Sequence, residues 1–170
     1  SMELKPKAVF DAFAQINEVP RPSKREQKMV AFLRQFGESH GLETKVDAVG
    51  NVLICKPATK GKENAPTVVL QSHIDMVCEK NADVEFDFDK DAIKTRIDGE
   101  WMSACGTTLG ADDGIGIAME LALLESTDIA HGPIECLFTV DEETGLTGAE
   151  GLQPGFFSGK MLINLDSEDE

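Results

Sequence analysis

Basic residues are scarce in this chain: its 170 residues include 16 Lys and Arg against 31 Asp and Glu, a formal net charge of −15. No basic patch can offset that balance, so neither nucleic acid nor an anionic membrane surface is expected as a partner. Long apolar runs are missing too. Nothing approaches the ~18 residues of a membrane span, and the N-terminal stretch lacks the apolar segment of a signal peptide. The four cysteines, Cys55, Cys78, Cys105 and Cys136, form no C-x-x-C pair, so neither a zinc knuckle nor a dense disulfide framework follows. Reduced, buried thiols in a cytoplasmic protein are the plainer reading. Internal repeats and low-complexity tracts are absent, and the length suits one domain with a real core. Ser1, ahead of Met2, reads as a cloning remnant and is set aside.

What is there is an alternation of helical and strand-like segments. Apolar residues at 8, 9, 10, 13, 14 and 16 predict an amphipathic helix over 6–17, stopped by Pro20 and Pro22. Ser23-Lys24-Arg25-Glu26 reads as a capping box with Ser23 as N-cap. The helix it opens carries Met29, Val30, Leu33 and Phe36 on one face and ends at Gly41. Thr44–Asp47 and Asn51–Cys55 read as strands around a Gly50-Asn51 turn. Short apolar runs at 67–70, 134–140 and 161–165 predict further strands, and 113–125 is apolar almost all round, as in a buried helix. The alternation argues for an α/β layered sheet.

Two motif readings fail on inspection. Asp87, Asp89 and Asp91 match the start of a calcium loop, but Ala92 replaces the required glycine and Asp98 the final glutamate. An exposed acidic loop between 83 and 98 is expected instead. The glycines of Gly106-Thr107-Thr108-Leu109-Gly110-Ala111-Asp112-Asp113-Gly114-Ile115-Gly116 invite a phosphate loop, yet no Lys-Ser/Thr follows. Adjacent carboxylates would repel phosphate. They suit a cation.

Three strand-like runs end in His73-x-Asp75, Asp141-Glu142-Glu143 and Asp166, and the buried helix opens at Asp112. Ligands of open α/β sheets bind just outside the carboxyl ends of the strands. Any one of these carboxylates alone would ordinarily be a solvated strand end. All four segments at one sheet edge would repel one another unless cations neutralised them. One imidazole with several carboxylates suits zinc, manganese or cobalt better than calcium. Two such ions, ~3.5–4 Å apart and sharing a carboxylate, would generate hydroxide from water and polarise a carbonyl.

The segments S-H-I-D-M-V (72–77), D-G-E-W (98–101), G-T-T-L-G-A-D-D-G-I-G (106–116), D-E-E-T-G (141–145) and I-N-L-D-S-E (163–168) occur in order across most of the chain. Together they resemble the aminoacyl-histidine dipeptidases (peptidase D type, Xaa-His dipeptidases) of the co-catalytic zinc exopeptidase family. The resemblance implies a mixed, largely parallel central sheet flanked by helices. It also implies two divalent metal ions, with His73 and Asp166 on one, Glu143 on the other and Asp112 bridging both. Asp75 would orient the His73 imidazole, and Glu142 would be the general base that moves a proton from the attacking water to the leaving amine. Asp113 would stand behind the ligands, and Asp141 receives no role.

Members of that family continue well beyond this length, with a lid or dimerisation domain and a final metal-binding histidine. His40 and His131 match no such motif, so residues 1–170 are expected to be the N-terminal part of a catalytic domain, inactive alone. The implied activity is hydrolysis of Xaa-His dipeptides such as β-alanyl-histidine by a cytoplasmic homodimer. Two alternatives stay open: an N-acyl amino acid amidohydrolase using the same two metals, and a non-catalytic metal-binding fragment. The Glu142-Glu143 pair weighs against the second, since a binding module needs no base beside a ligand.

Overall fold

Residues 6–19, 26–75, 95–98, 101–104, 111–140 and 155–165 are described by the structure, a computed structural model; for residues 6, 95–98, 101–104, 111 and 112 this covers the backbone alone. The order of elements is α1 (Pro6–Asn17), α2 (Gln27–Ser39), β1 (Glu43–Val46), β2 (Val52–Lys56), β3 (Val68–His73), β4 (Thr95–Asp98), β5 (Trp101–Ala104), α3 (Ala111–Glu125), β6 (Ile134–Thr139) and β7 (Met161–Asn164). Five strands form one mixed sheet in the order β1-β2-β6-β3-β7, while β4 and β5 form a separate antiparallel pair. β6, β3 and β7 are mutually parallel, and only β2 opposes the common direction. The three apolar runs expected in one sheet are therefore neighbours in it.

Alternation along the strands sorts two cores. Val52, Ile54, Cys136 and Phe138 face α1, α2 and α3, where Phe13, Ile16, Met29, Leu33, Ile117 and Leu121 are buried. Each such side chain contributes about 1.5–3 kcal/mol on leaving water. Leu53, Val69 and Leu137 point the other way, onto Phe156 and Phe157. The strap carrying those phenylalanines is anchored by Glu135, whose carboxylate accepts the N–H groups of Ser158 (3.0 Å) and Gly159 (2.6 Å). It leads into β7, an outer strand with Met161, Leu162 and Ile163 exposed.

α2 starts at Gln27 with Glu26 in the N-cap position and no side-chain cap, later than a box opened by Ser23 would start it. Glu26 is buried, on the inward stripe with Met29 and Leu33; packing sets the start, and Ser23 lies outside the described residues. The other end follows the glycine signal. Gly41 takes φ +68°, with Leu42 N–H donating to Gly37 O (2.9 Å) and Gly41 N–H to Glu38 O (3.1 Å), the paired closure of a Schellman motif. At the far end of α3, Lys56 Nζ donates to the carbonyls of Leu123 (2.8 Å), Leu124 (3.0 Å) and Ser126 (2.6 Å). It satisfies oxygens that a helix terminus leaves without intrahelical partners. No described helix is long and apolar enough to cross a membrane.

Candidate active site at the carboxyl edge of the sheet

β3 and β6 run in register from Val68↔Ile134 to His73↔Thr139, and β3 and β7 from Val68↔Met161 to Gln71↔Asn164. All three strands therefore finish at one edge. The pairing continues one step past the strands, with Ile74 N–H donating to Thr139 O and Leu165 N–H to Gln71 O, both 2.8 Å. The β1–β2 turn reaches the same edge. Asp47 Oδ1 accepts the N–H groups of Val49, Gly50 and Asn51, and Gly50 supplies the positive φ (+104°) the turn requires. Asn51 Oδ1 then accepts the Val140 N–H at 3.0 Å, fixing the chain just before Asp141-Glu142-Glu143.

His73 and Asp75 are fully buried. His73 Nδ1 lies 3.0 Å from the Asp75 carbonyl oxygen and 3.3 Å from its Oδ1. Both oxygens accept, so Nδ1 carries a proton, and in the neutral ring the lone pair falls on Nε2. That tautomer suits an imidazole that ligates through Nε2 while a carboxylate holds its other side. Asp112 is the second residue of α3, in the first turn, where the helix dipole favours negative charge. Asp113 is buried on the same turn, and its Oδ1 accepts the Gly116 N–H at 3.2 Å. Glu142, Glu143 and Asp166 lie outside the described residues, as do Asp87, Asp89 and Asp91 of the failed calcium motif. No set of three or more metal-holding side chains occurs among the described residues.

One buried acid escaped the sequence reading. Glu120, on α3 seven residues after Asp113, is fully buried and accepts the Ser72 hydroxyl at 2.5 Å through Oε1. Its Oε2 has no well-aligned hydrogen bond among the described residues, although the Cys136 thiol lies beside the carboxyl. Burial pushes its carboxyl well above the ordinary range; the Ser72 hydroxyl opposes the shift, the Asp113 charge adds to it, and the Cys136 thiol opposes it. The only hint in sequence was a lone carboxylate between Met119 and Leu121 in an apolar helix.

A folded-state pKa raised above the unfolded value means the native state keeps a proton that the unfolded chain releases. Stability is therefore lost as pH rises from the unfolded value, about 4.3, toward the folded one. Glu120→Gln keeps the shape and the acceptor but cannot ionise. It should melt at a higher temperature than the parent near neutral pH, with the gap closing at about pH 4. Melting curves that run parallel across that window would show that Glu120 does not carry a buried proton.

The fold defines a mixed α/β layer whose parallel strands converge on one carboxyl edge, and comparison with known proteins gives the family. Residues 69–164 match the model of peptidase family M20/M25/M40, to which this chain belongs. It is 48% identical over 168 residues to the cytosol non-specific dipeptidase of Escherichia coli, covering 99% of this chain and 35% of that protein. Among solved structures, an aminoacylhistidine dipeptidase from Vibrio alginolyticus superposes with a TM-score of 0.94 at 50% identity, covering 98% of this chain and 34% of that one. Aminopeptidase PepT from Bacillus cereus superposes at 0.81 with 28% identity, covering 98% and 44%. The resemblance read from the motifs is borne out, as is the mixed, largely parallel sheet. The chain spans about a third of the length of its two dipeptidase relatives.

Proposed function

We propose that this chain is the N-terminal part of the catalytic domain of a metal-dependent dipeptidase acting on Xaa-His dipeptides. The observation that carries the reading is the buried His73–Asp75 pair at the carboxyl end of β3, with Nδ1 held by the carbonyl and carboxylate oxygens of Asp75. This donor set fits a divalent ion: an oriented imidazole on an edge where the sequence continues into carboxylates. His73 and Asp166 would hold one ion, Glu143 the other, and Asp112 both; zinc is favoured, with manganese or cobalt as substitutes. When bound, the two ions would activate water and polarise the scissile carbonyl. Asp75 fixes the imidazole, and Glu142 accepts the proton of the attacking water and returns it to the departing amine.

The names of two relatives, a cytosol non-specific dipeptidase and an aminoacylhistidine dipeptidase, support dipeptides as the substrate class; the second supports the Xaa-His preference, and the first a cytosolic setting. A homodimer bearing a lid domain and a further histidine ligand completes the reading, on the family resemblance. Turnover by the full-length protein on a panel of Xaa-His dipeptides, other dipeptides and N-acyl amino acids tests it. Preference for N-acyl amino acids would move the protein to the amidohydrolase alternative, while metal binding without any turnover would leave a binding module.

A prediction follows for residues 1–170 alone. One site retains His73, Asp112 and Asp166; the other retains Asp112 and Glu143. Catalytic zinc ordinarily has three protein ligands. The isolated chain should bind at most one zinc tightly and hydrolyse no dipeptide. Calorimetric titration with zinc, repeated on His73→Ala, checks this; two equal tight sites, or one indifferent to His73, would overturn the ligand assignment.

A further inference from the structure

We infer that Glu120 is a positioning residue for the metal site: its bond to Ser72 fastens the strand that carries His73 to the helix that carries Asp112. The inference rests on the metal-site reading above and extends it to a residue remote from the ligands.

The sheet edge is held on both faces. On the face of His73, Gln71 Nε2 donates to Thr139 Oγ1 at 3.1 Å, tying β3 to β6. On the opposite face Ser72 points into the helix-side core, and its hydroxyl meets Glu120 of α3. Apolar packing around that contact (Leu70, Ile117, Leu121, Phe138) is non-directional. Such packing resists a slide of the helix along the strands through shape alone, since it has no preferred direction. A hydrogen bond of 2.5 Å between fully buried partners cannot follow such a slide, because breaking it strands a buried hydroxyl and carboxyl. Lys56 stakes the far end of α3, and the Ser72–Glu120 bond fixes its register nearer the site. Two ligands drawn from different elements must be held to within about 0.5 Å to bind a metal well. Register between β3 and α3 is therefore a condition for His73 and Asp112 to serve one ion.

The test is zinc affinity of the full-length protein, measured by competition with a chromophoric chelator, alongside thermal melts. Glu120→Leu fills similar space but offers Ser72 no acceptor; it should weaken zinc binding about tenfold or more, as loss of a supporting group around a metal ligand does. Glu120→Gln retains the acceptor and should bind within about twofold of the parent, a rescue that separates the hydrogen bond from mere volume. Leu33→Ala, in the α2 core away from the edge, should lower Tm yet leave zinc affinity unchanged. If Glu120→Leu does not fold, Ser72→Ala removes only the donor and should show the same loss. Parental zinc affinity in Glu120→Leu (or in Ser72→Ala), or a Gln variant as weak as the Leu variant, overturns the inference. Absence of zinc binding by the parent itself would instead sink the metal-site reading, and this inference with it.

Discussion

Glu142→Gln in the full-length protein should lower kcat at least ~10²-fold while leaving its metal content near that of the parent. The amide is almost the size of the carboxylate but cannot take a proton, so the effect isolates base function from packing. Glu142 follows Val140 by two residues, and Val140 is pinned by Asn51 beside the end of β3. Its neighbour Glu143 is proposed as a ligand, and the two should separate cleanly under the same substitution. Glu143→Gln should lose metal as well as turnover. Metal analysis paired with steady-state kinetics distinguishes them: lost metal in Glu142→Gln with normal metal in Glu143→Gln would mean the roles are exchanged. Activity within a few-fold of the parent in Glu142→Gln would mean that another group is the base.

His73→Ala and Asp75→Asn should separate a ligand from the group that aims it. His73→Ala removes the one imidazole at the edge and should abolish tight binding at the first site. Asp75→Asn retains the imidazole and the backbone carbonyl at 3.0 Å from Nδ1, but it removes the charge behind the ring. Affinity should fall about 10–100-fold, the usual cost of losing such a partner. Both residues are buried, so melting temperatures must be read in parallel. An Asp75→Asn protein with parental zinc affinity would show that the backbone carbonyl alone sets the tautomer, and Asp75 would lose its role.

Strands were legible where the chain offers a short apolar run closed by a turn residue, as in β2, β3 and β6. β4 was not, because Thr95-Arg96-Ile97-Asp98 has no apolar run; only the Asp98-Gly99 turn signal and the strand-like Glu100-Trp101-Met102 after it pointed to its pairing with β5. α2 was legible at its glycine end, where one residue type meets a backbone demand. Its start was misread because the sequence offers both a cap and a buried glutamate, and packing favoured the latter. His73 and Asp75 stood out as neighbours in sequence with complementary chemistry. Glu120 did not, since Ser72 is 48 residues away and neither residue marks the other. Asn51 was read as a turn residue, and its service to Val140 across 89 residues is visible only once the sheet is assembled.

The parallel arrangement at the site edge has a consequence for the order in which the molecule folds. β1 and β2 join through a tight turn and can zip locally, whereas Gln71 and Thr139 stand 68 residues apart, and Val68 must find Met161 still further along. Closing such loops costs entropy before any contact is gained, which makes long-range parallel pairing slow. The hairpin and the packing of α2 against β1 should therefore become protected from hydrogen exchange early, and the amides of Ile74 and Leu165 late. Burial of His73 is then among the last events of folding, and the edge that would do the chemistry is the part of the molecule that matures last.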